Sequence, residues 1–180
     1  MSLSPAARLP RAFTSALTLA LAALLAMAGN AAHAQAEPIQ SQVTSLRSKA
    51  DRMISYRSQQ HMWQTADGAT HAVINRGPRT DRKSLALFST HDGGATWTLS
   101  AVTLPGSNGS STSDGYLVGN RLHLTWDIGA SAIRYAEAVY DPDARRWTLE
   151  PEVMVVNNSA AAALVPAMAA DARGRQWLAY

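Results

Sequence analysis

The side chains best placed to do chemistry in this chain are basic. Arg76, Arg79, Arg82 and Lys83 crowd around Asp81 in a segment that also carries Gly77 and Pro78, and Arg57 lies one strand upstream. Guanidinium groups hold carboxylates through paired N–H donors, so this set could clamp an acidic ligand; a solvated basic turn is the plainer use of the same residues. Other constellations are weaker. His61, His71, His91 and His123 never stand at i, i+4 beside a glutamate, so the zinc-helix pattern is missing. No Gly-x-Ser-x-Gly elbow occurs, and Gly93-Gly94 is not followed by the Gly-Lys-Ser/Thr of a phosphate loop. Cysteine is absent, which excludes disulfide scaffolds and thiolate metal sites. No metal or cofactor is expected. Trp63, Trp126 and Trp177 could stack on sugars, although rings in a sheet more commonly fill a core.

These residues have to be positioned by strands. From residue 61 onward, short apolar runs alternate with clusters of Gly, Asp, Asn, Pro and Ser, the punctuation of strands and turns. The pattern predicts strands at 70–75, 84–90, 96–103, 115–118, 121–127, 132–140, 146–156 and 175–180, with a low-complexity loop over 105–114. Residues 37–58 have a helical look, with Ile39, Val43, Leu46, Ala50 and Met53 at spacings of four and three; they read as a short helix or a linker. A small-residue patch, Ala160 to Ala163, offers only weak support for helix.

The strands repeat. Trp97-Thr98-Leu99 returns as Trp147-Thr148-Leu149, each at the end of a turn. A second element, a tight turn followed by an alternating strand, occurs at Asp67–Val73, Gly119–Trp126 and Arg173–Tyr180, which places His71 and His123 at one repeat position. A period near fifty residues with about four strands per unit is the spacing of a β-propeller blade. The expected fold is therefore all-β: propeller blades of four-stranded antiparallel sheets, about 2.5–3 of them over residues 59–180. Closed propellers need roughly four to eight blades, so the tally predicts the leading part of a longer protein, or an open set of blades completed by a partner chain.

One segment carries a family resemblance. Thr90-His91-Asp92-Gly93-Gly94-Ala95-Thr96-Trp97 matches Ser/Thr-x-Asp-x-Gly-x-Thr-Trp and resembles the Asp-box, the bacterial neuraminidase repeat of sialidase-like propellers. The resemblance implies that Thr90, Asp92, Gly94, Thr96 and Trp97 pin a hairpin and are structural: Asp92 caps its own turn, glycine permits positive φ and Trp97 packs on the sheet. Asp141-Pro142-Asp143-Ala144-Arg145-Arg146-Trp147 keeps the tryptophan and an acidic turn but loses the Gly and Thr. In the sialidases that the chain resembles, arginines hold the substrate carboxylate, an Asp is acid/base and a Tyr/Glu pair is nucleophile and helper. By order along the chain, Arg57 and Arg76 would be carboxylate-binding and Asp81 acid/base. Ser58 and Gln59 replace the Ile and Pro that follow the family's first arginine, and the Tyr/Glu pair would lie beyond Tyr180.

Composition frames the destination. Arg8 and Arg11, an uncharged Leu/Ala run from Ala12 to Gly29, and Ala32-His33-Ala34-Gln35-Ala36 have the layout of a cleavable signal peptide over 1–36. Its loss leaves 14 of the 16 Lys and Arg against 13 Asp and Glu, so neither nucleic acid nor membrane insertion is expected of the mature part. The combined expectation is a secreted or periplasmic protein that recognises an extracellular ligand, a glycan first. Two alternatives stand beside it: an exo-acting sialidase-type glycoside hydrolase, and a non-catalytic protein-binding scaffold.

Overall fold

The computed structural model describes residues 48–50, 53, 54, 56, 58–157 and 162–180. The expected signal peptide and the substrate-binding candidate Arg57 lie outside the described residues, as does most of 37–58. Those of 48–58 that are described have irregular backbone.

A four-stranded antiparallel meander, a five-stranded sheet built on a second such meander, and a hairpin account for all eleven described strands. The first sheet runs β1 (Met62–Gln64), β2 (Thr70–Asn75), β3 (Leu85–Thr90) and β4 (Thr98–Thr103) in that order. The second runs β5 (Ser113–Val118), β6 (Arg121–Asp127), β7 (Ala132–Asp141) and β8 (Arg146–Leu149), with β9 (Val153–Asn157) also pairing with β7. The hairpin consists of β10 (Ala167–Ala170) and β11 (Gln176–Ala179). The all-β expectation holds, and each four-stranded meander keeps chain order because its connections are short, β9 alone returning to pair with β7.

Local chemistry sets the details. Gly119 takes φ 59° at the first central position of the two-residue turn between Val118 and Arg121, which pair across it; a type II′ hairpin asks for glycine there. Pro151 has no N–H to give a ladder, and the expected strand 146–156 is broken around it: β8 pairs with Ala138–Asp141 of β7, whereas β9 pairs with Ala132–Tyr135. The two parts serve successively as one bent outer strand. Ser113 and Asp114, expected in a loop, open β5.

Alternation then decides the core. Val73, Leu85 and Leu87 of the first sheet form one cluster with Leu122, Leu124, Trp126, Ala136, Ala138, Tyr140 and Trp147 of the second. Both tryptophans of the second sheet, Trp126 and Trp147, are at most 1% exposed. Buried aromatic rings of this kind remove roughly 150–250 Å² each from water, which makes this seam the main apolar stabilisation between the sheets. β4 runs beside β8, and β10 beside β5. Among the described residues no helix is long and apolar enough to cross a membrane.

Candidate functional site

Strand direction gives the meanders two ends. One gathers the lead-in to β1, the β2–β3 loop, the stretch from 104 to 112 and the end of β6; it is the loop end. The other gathers the tight connections at 65–69, 91–97, 119–120 and 141–145; it is the turn end.

Loop end. Asn75 closes β2 and is 2% exposed. Its Nδ2 donates to the carbonyls of Asn108 (3.0 Å) and Ser111 (2.9 Å), and its Oδ1 accepts the N–H of Gly77 (2.9 Å). Gly77 sits at φ 93°, and a Cβ there would come within 2.7 Å of the Lys49 backbone, so glycine is required where the chain leaves β2. Arg76 follows. Its Nη2 donates to the Lys83 carbonyl (2.5 Å), which ties the β2–β3 loop to itself, while its Nε is buried without a hydrogen-bond partner. Burial lowers its pKa, helped by the nearby Arg79 charge.

Asp81 lies in the same loop, exposed, and forms an ion pair with Arg79 (3.1 Å) while accepting the N–H of Lys83 (3.2 Å). The hydrogen bond from Arg79 holds its carboxyl below the ordinary range, with the charges of Arg79 and Arg76 adding to the effect. The structure thus brings Arg76, Arg79 and Asp81 into one basic loop. In this arrangement Asp81 is an ionised acceptor; to donate a proton as an acid it would need the opposite shift.

Behind the loop lies a buried polar layer. Asp114, 4% exposed, accepts the Gln60 N–H on Oδ1 (2.6 Å) and the Met168 N–H on Oδ2 (2.8 Å). One carboxylate therefore joins the lead-in of the first sheet, the first strand of the second and the first strand of the hairpin. Gln59 Nε2 donates to the Pro166 carbonyl (2.8 Å) across the same junction. Asp127, 2% exposed, accepts from both the N–H (3.1 Å) and the Oγ1 (2.7 Å) of Thr112; burial pushes its carboxyl upward despite these bonds. A recess of about 340 Å³ opens beside Asp114, edged by Ser58, Gln60, Tyr116 and Met168.

Sequence reasoning missed Asn75, Asp114, Asp127 and Gln59. A signal existed for two of them: Asn75 and Asp127 each end the second strand of a meander, a polar residue closing an apolar run at one repeat position.

Turn end. Thr90 Oγ1 donates to Asp92 Oδ1 (2.7 Å) and accepts the Gly94 N–H (2.9 Å); Asp92 also accepts the Thr96 N–H (2.9 Å) and hydroxyl (2.6 Å). These bonds hold the Asp92 carboxyl far below its ordinary value, the Thr96 hydroxyl first among them. Gly93 and Gly94 take φ 71° and 96°, and Trp97 leads directly into β4, whose Thr98 and Leu99 pair with Ser89 and Phe88. The stretch 84–99 is thus a hairpin. Trp147, Thr148 and Leu149 occupy the matching place in β8, opposite Tyr140, Val139 and Ala138.

Between the sheets at this end runs a chain of hydrogen bonds, buried at Thr65, His71, Tyr140 and Trp147 and ending at the exposed Asp67 and His91. His71 is fully buried. The indole of Trp147 donates to its Nδ1 (3.0 Å), and an indole can only donate. The ring proton therefore sits on Nε2, which faces Thr65 Oγ1 (2.9 Å); Thr65 donates in turn to Asp67 Oδ1 (2.5 Å). Tyr140 donates to Asp67 Oδ2 (2.9 Å) and meets His91 Nε2 (3.0 Å). Burial lowers the pKa of His71 to about 4 and pushes Tyr140 up to about 12. Every member has a partner, so this chain serves as an inter-sheet clasp, and the repeat position shared by His71 and His123 has a packing use.

Among the described residues no group of three or more His, Asp or Glu is placed to hold a metal ion. No protein-family model, curated protein or solved structure matches this chain.

Proposed function

We propose that this chain is an exported, sialidase-like Asp-box propeller segment that recognises an extracellular or periplasmic glycan with its loop end. The observation carrying the reading is the step at which the units meet: Gln60, Asp114 and Met168 stand 54 residues apart, with like-ordered meanders between them. A regular step between like sheets, each burying its neighbour's face, is the logic of blades around an axis. The capped turn at 90–97 supports the family reading, and the layout of residues 1–36 supports export. Arg76 and Arg79 would meet acidic sugar groups, and the recess beside Tyr116 would take a ring.

Recognition is preferred over hydrolysis because Asp81 is exposed, ionised and paired with Arg79. The full chain is expected to be retained by immobilised acidic glycans, to lose at least tenfold in affinity in the Arg76→Gln, Arg79→Gln double variant, and to leave a fluorogenic sialoside intact. Sialoside turnover that disappears in Asp81→Asn would replace recognition by catalysis. Failure to bind any glycan would favour a protein-binding scaffold.

A further inference from the structure

The second hairpin has given up the residues that lock the first. Aligned on their tryptophans, Ala95-Thr96 is replaced by Arg145-Arg146, and Arg145 adopts φ 48°, a left-handed conformation that the first turn leaves to Gly93 and Gly94. A bulky residue held there departs from what the turn alone prefers, so the side chain must be sought in what it faces.

It faces a cleft of about 410 Å³ between β4 and β8, at the opposite end of the sheets from the basic loop. Thr98 and Ser100 line it from β4, Arg145 and Arg146 from the second hairpin, and Ser89 and His91 from the first sheet, with Leu99 and the edge of Trp147 adding apolar surface. The volume is that of a small-molecule site. No carboxylate lines it. Neighbouring acids are engaged elsewhere: Asp67 accepts from Thr65 and Tyr140, and Asp141 Oδ1 caps its own turn through the N–H groups of Asp143 and Ala144 (both 3.0 Å). Asp143 is exposed on the same turn. Arg79, Arg121, Arg134 and Arg175 each have an acidic partner, whereas among the described residues neither Arg145 nor Arg146 forms an ion pair. Two uncommitted guanidinium groups beside hydroxyls and an exposed Leu99 suit a ligand that is anionic at one point and hydroxylated with an apolar face elsewhere.

We infer that the cleft between β4 and β8 is a binding site for an acidic sugar unit, its carboxylate or sulfate held by Arg145 and Arg146 and its ring laid along Leu99, Thr98 and Ser100. This site is separate from the loop end and does not depend on what binds there.

The test is titration of the full chain, followed by the backbone amides of Ser100 and Arg146 and the indole N–H of Trp147 in two-dimensional NMR. The probes are digalacturonate, N-acetylglucosamine 6-sulfate, neutral galactobiose and a tetra-aspartate peptide. Digalacturonate is expected to shift those signals saturably, and 0.5 M NaCl to weaken binding at least tenfold. Arg145→Gly should lose at least tenfold in affinity while its melting temperature holds or rises, because glycine suits the left-handed position; this separates loss of the site from loss of the fold. Arg146→Gln should lose affinity similarly, and Arg173→Gln, an exposed arginine outside both sites, should leave it unchanged; because the signals followed lie at the turn end, the result stays distinct from any failure at the loop end. Tighter binding of the sulfated sugar at the same residues supports the site and assigns the anion as sulfate. Absence of saturable shifts, equal binding of galactobiose, undiminished affinity in both arginine variants, or equal or tighter binding of the peptide overturns the inference.

Discussion

The hairpins ending at Trp97 and Trp147 occupy the same place in successive sheets and are held in opposite ways. The first is self-sufficient: Thr90, Asp92, Gly94 and Thr96 satisfy one another within a few residues, and Trp97 is only half-buried. The second is locked from outside. Its turn has one capping carboxylate, Asp141, and a left-handed arginine, but Trp147 is 1% exposed and bonded to His71 of the other sheet, and Tyr140 reaches Asp67. The comparison teaches that a repeat can keep its geometry while moving its stabilisation from local hydrogen bonds to inter-sheet packing, and that this transfer frees the turn for other residues.

The largest effect that would break the comparison is at the tryptophans. Trp147→Ala removes a fully packed ring and takes away the indole donor to His71 Nδ1, leaving that nitrogen to the Ser89 hydroxyl (2.8 Å), so a loss of about 3–5 kcal/mol is expected in urea unfolding. Trp97→Ala should cost roughly 1–2 kcal/mol. Equal losses would mean that the two hairpins rest on the same support.

Next comes acid. His71 titrates near 4 when folded and near 6.5 when unfolded. Because its folded pKa is lowered, the contribution of the neutral ring is complete above pH 6.5 and is lost as pH falls from 6.5 to 4, by up to about 3 kcal/mol. His71→Gln should flatten that part of the stability curve, measured by urea midpoints at pH 7, 5.5 and 4. A curve unchanged by the substitution would remove His71 from the clasp.

The smallest effect sharpens the contrast. Asp92→Ala should lower the melting temperature by a few degrees, because four hydrogen bonds of its turn involve that side chain or the Thr90 that it orients. Asp141→Ala should lower it less, since β8 stays anchored through Trp147. The reverse order would make the second turn the more locally determined of the two.

Range decides how much of this was legible in the residues. The capping of the turn at 90–97 could be read because the residues that it joins lie within four positions of one another, whereas the contact of His91 with Tyr140 could not; strand alternation exposed β2, β3, β4, β6 and β7. The polar layer could not be read: Gln60 meets Asp114 across 54 residues and Gln59 meets Pro166 across 107, and no local pattern carries such distances. β10 was hidden because Ala-Met-Ala-Ala has little strand preference, and β1 because it is only three residues long. Of the site residues expected from the sequence, Arg76 and Asp81 share a loop, but the partnership of Asp81 with Arg79 depends on a fold of that loop that order along the chain does not reveal.

The carboxylate of Asp114 has a consequence for how freely this architecture can drift. It reads main-chain N–H groups on either flank, so the identities of residues 60 and 168 are irrelevant to the joint; a glutamine and a methionine serve equally. Self-similarity can fade at those two sites without loosening the assembly, whereas the single acid between them has no such latitude. Kinship among such units is then better sought in spacing than in spelling.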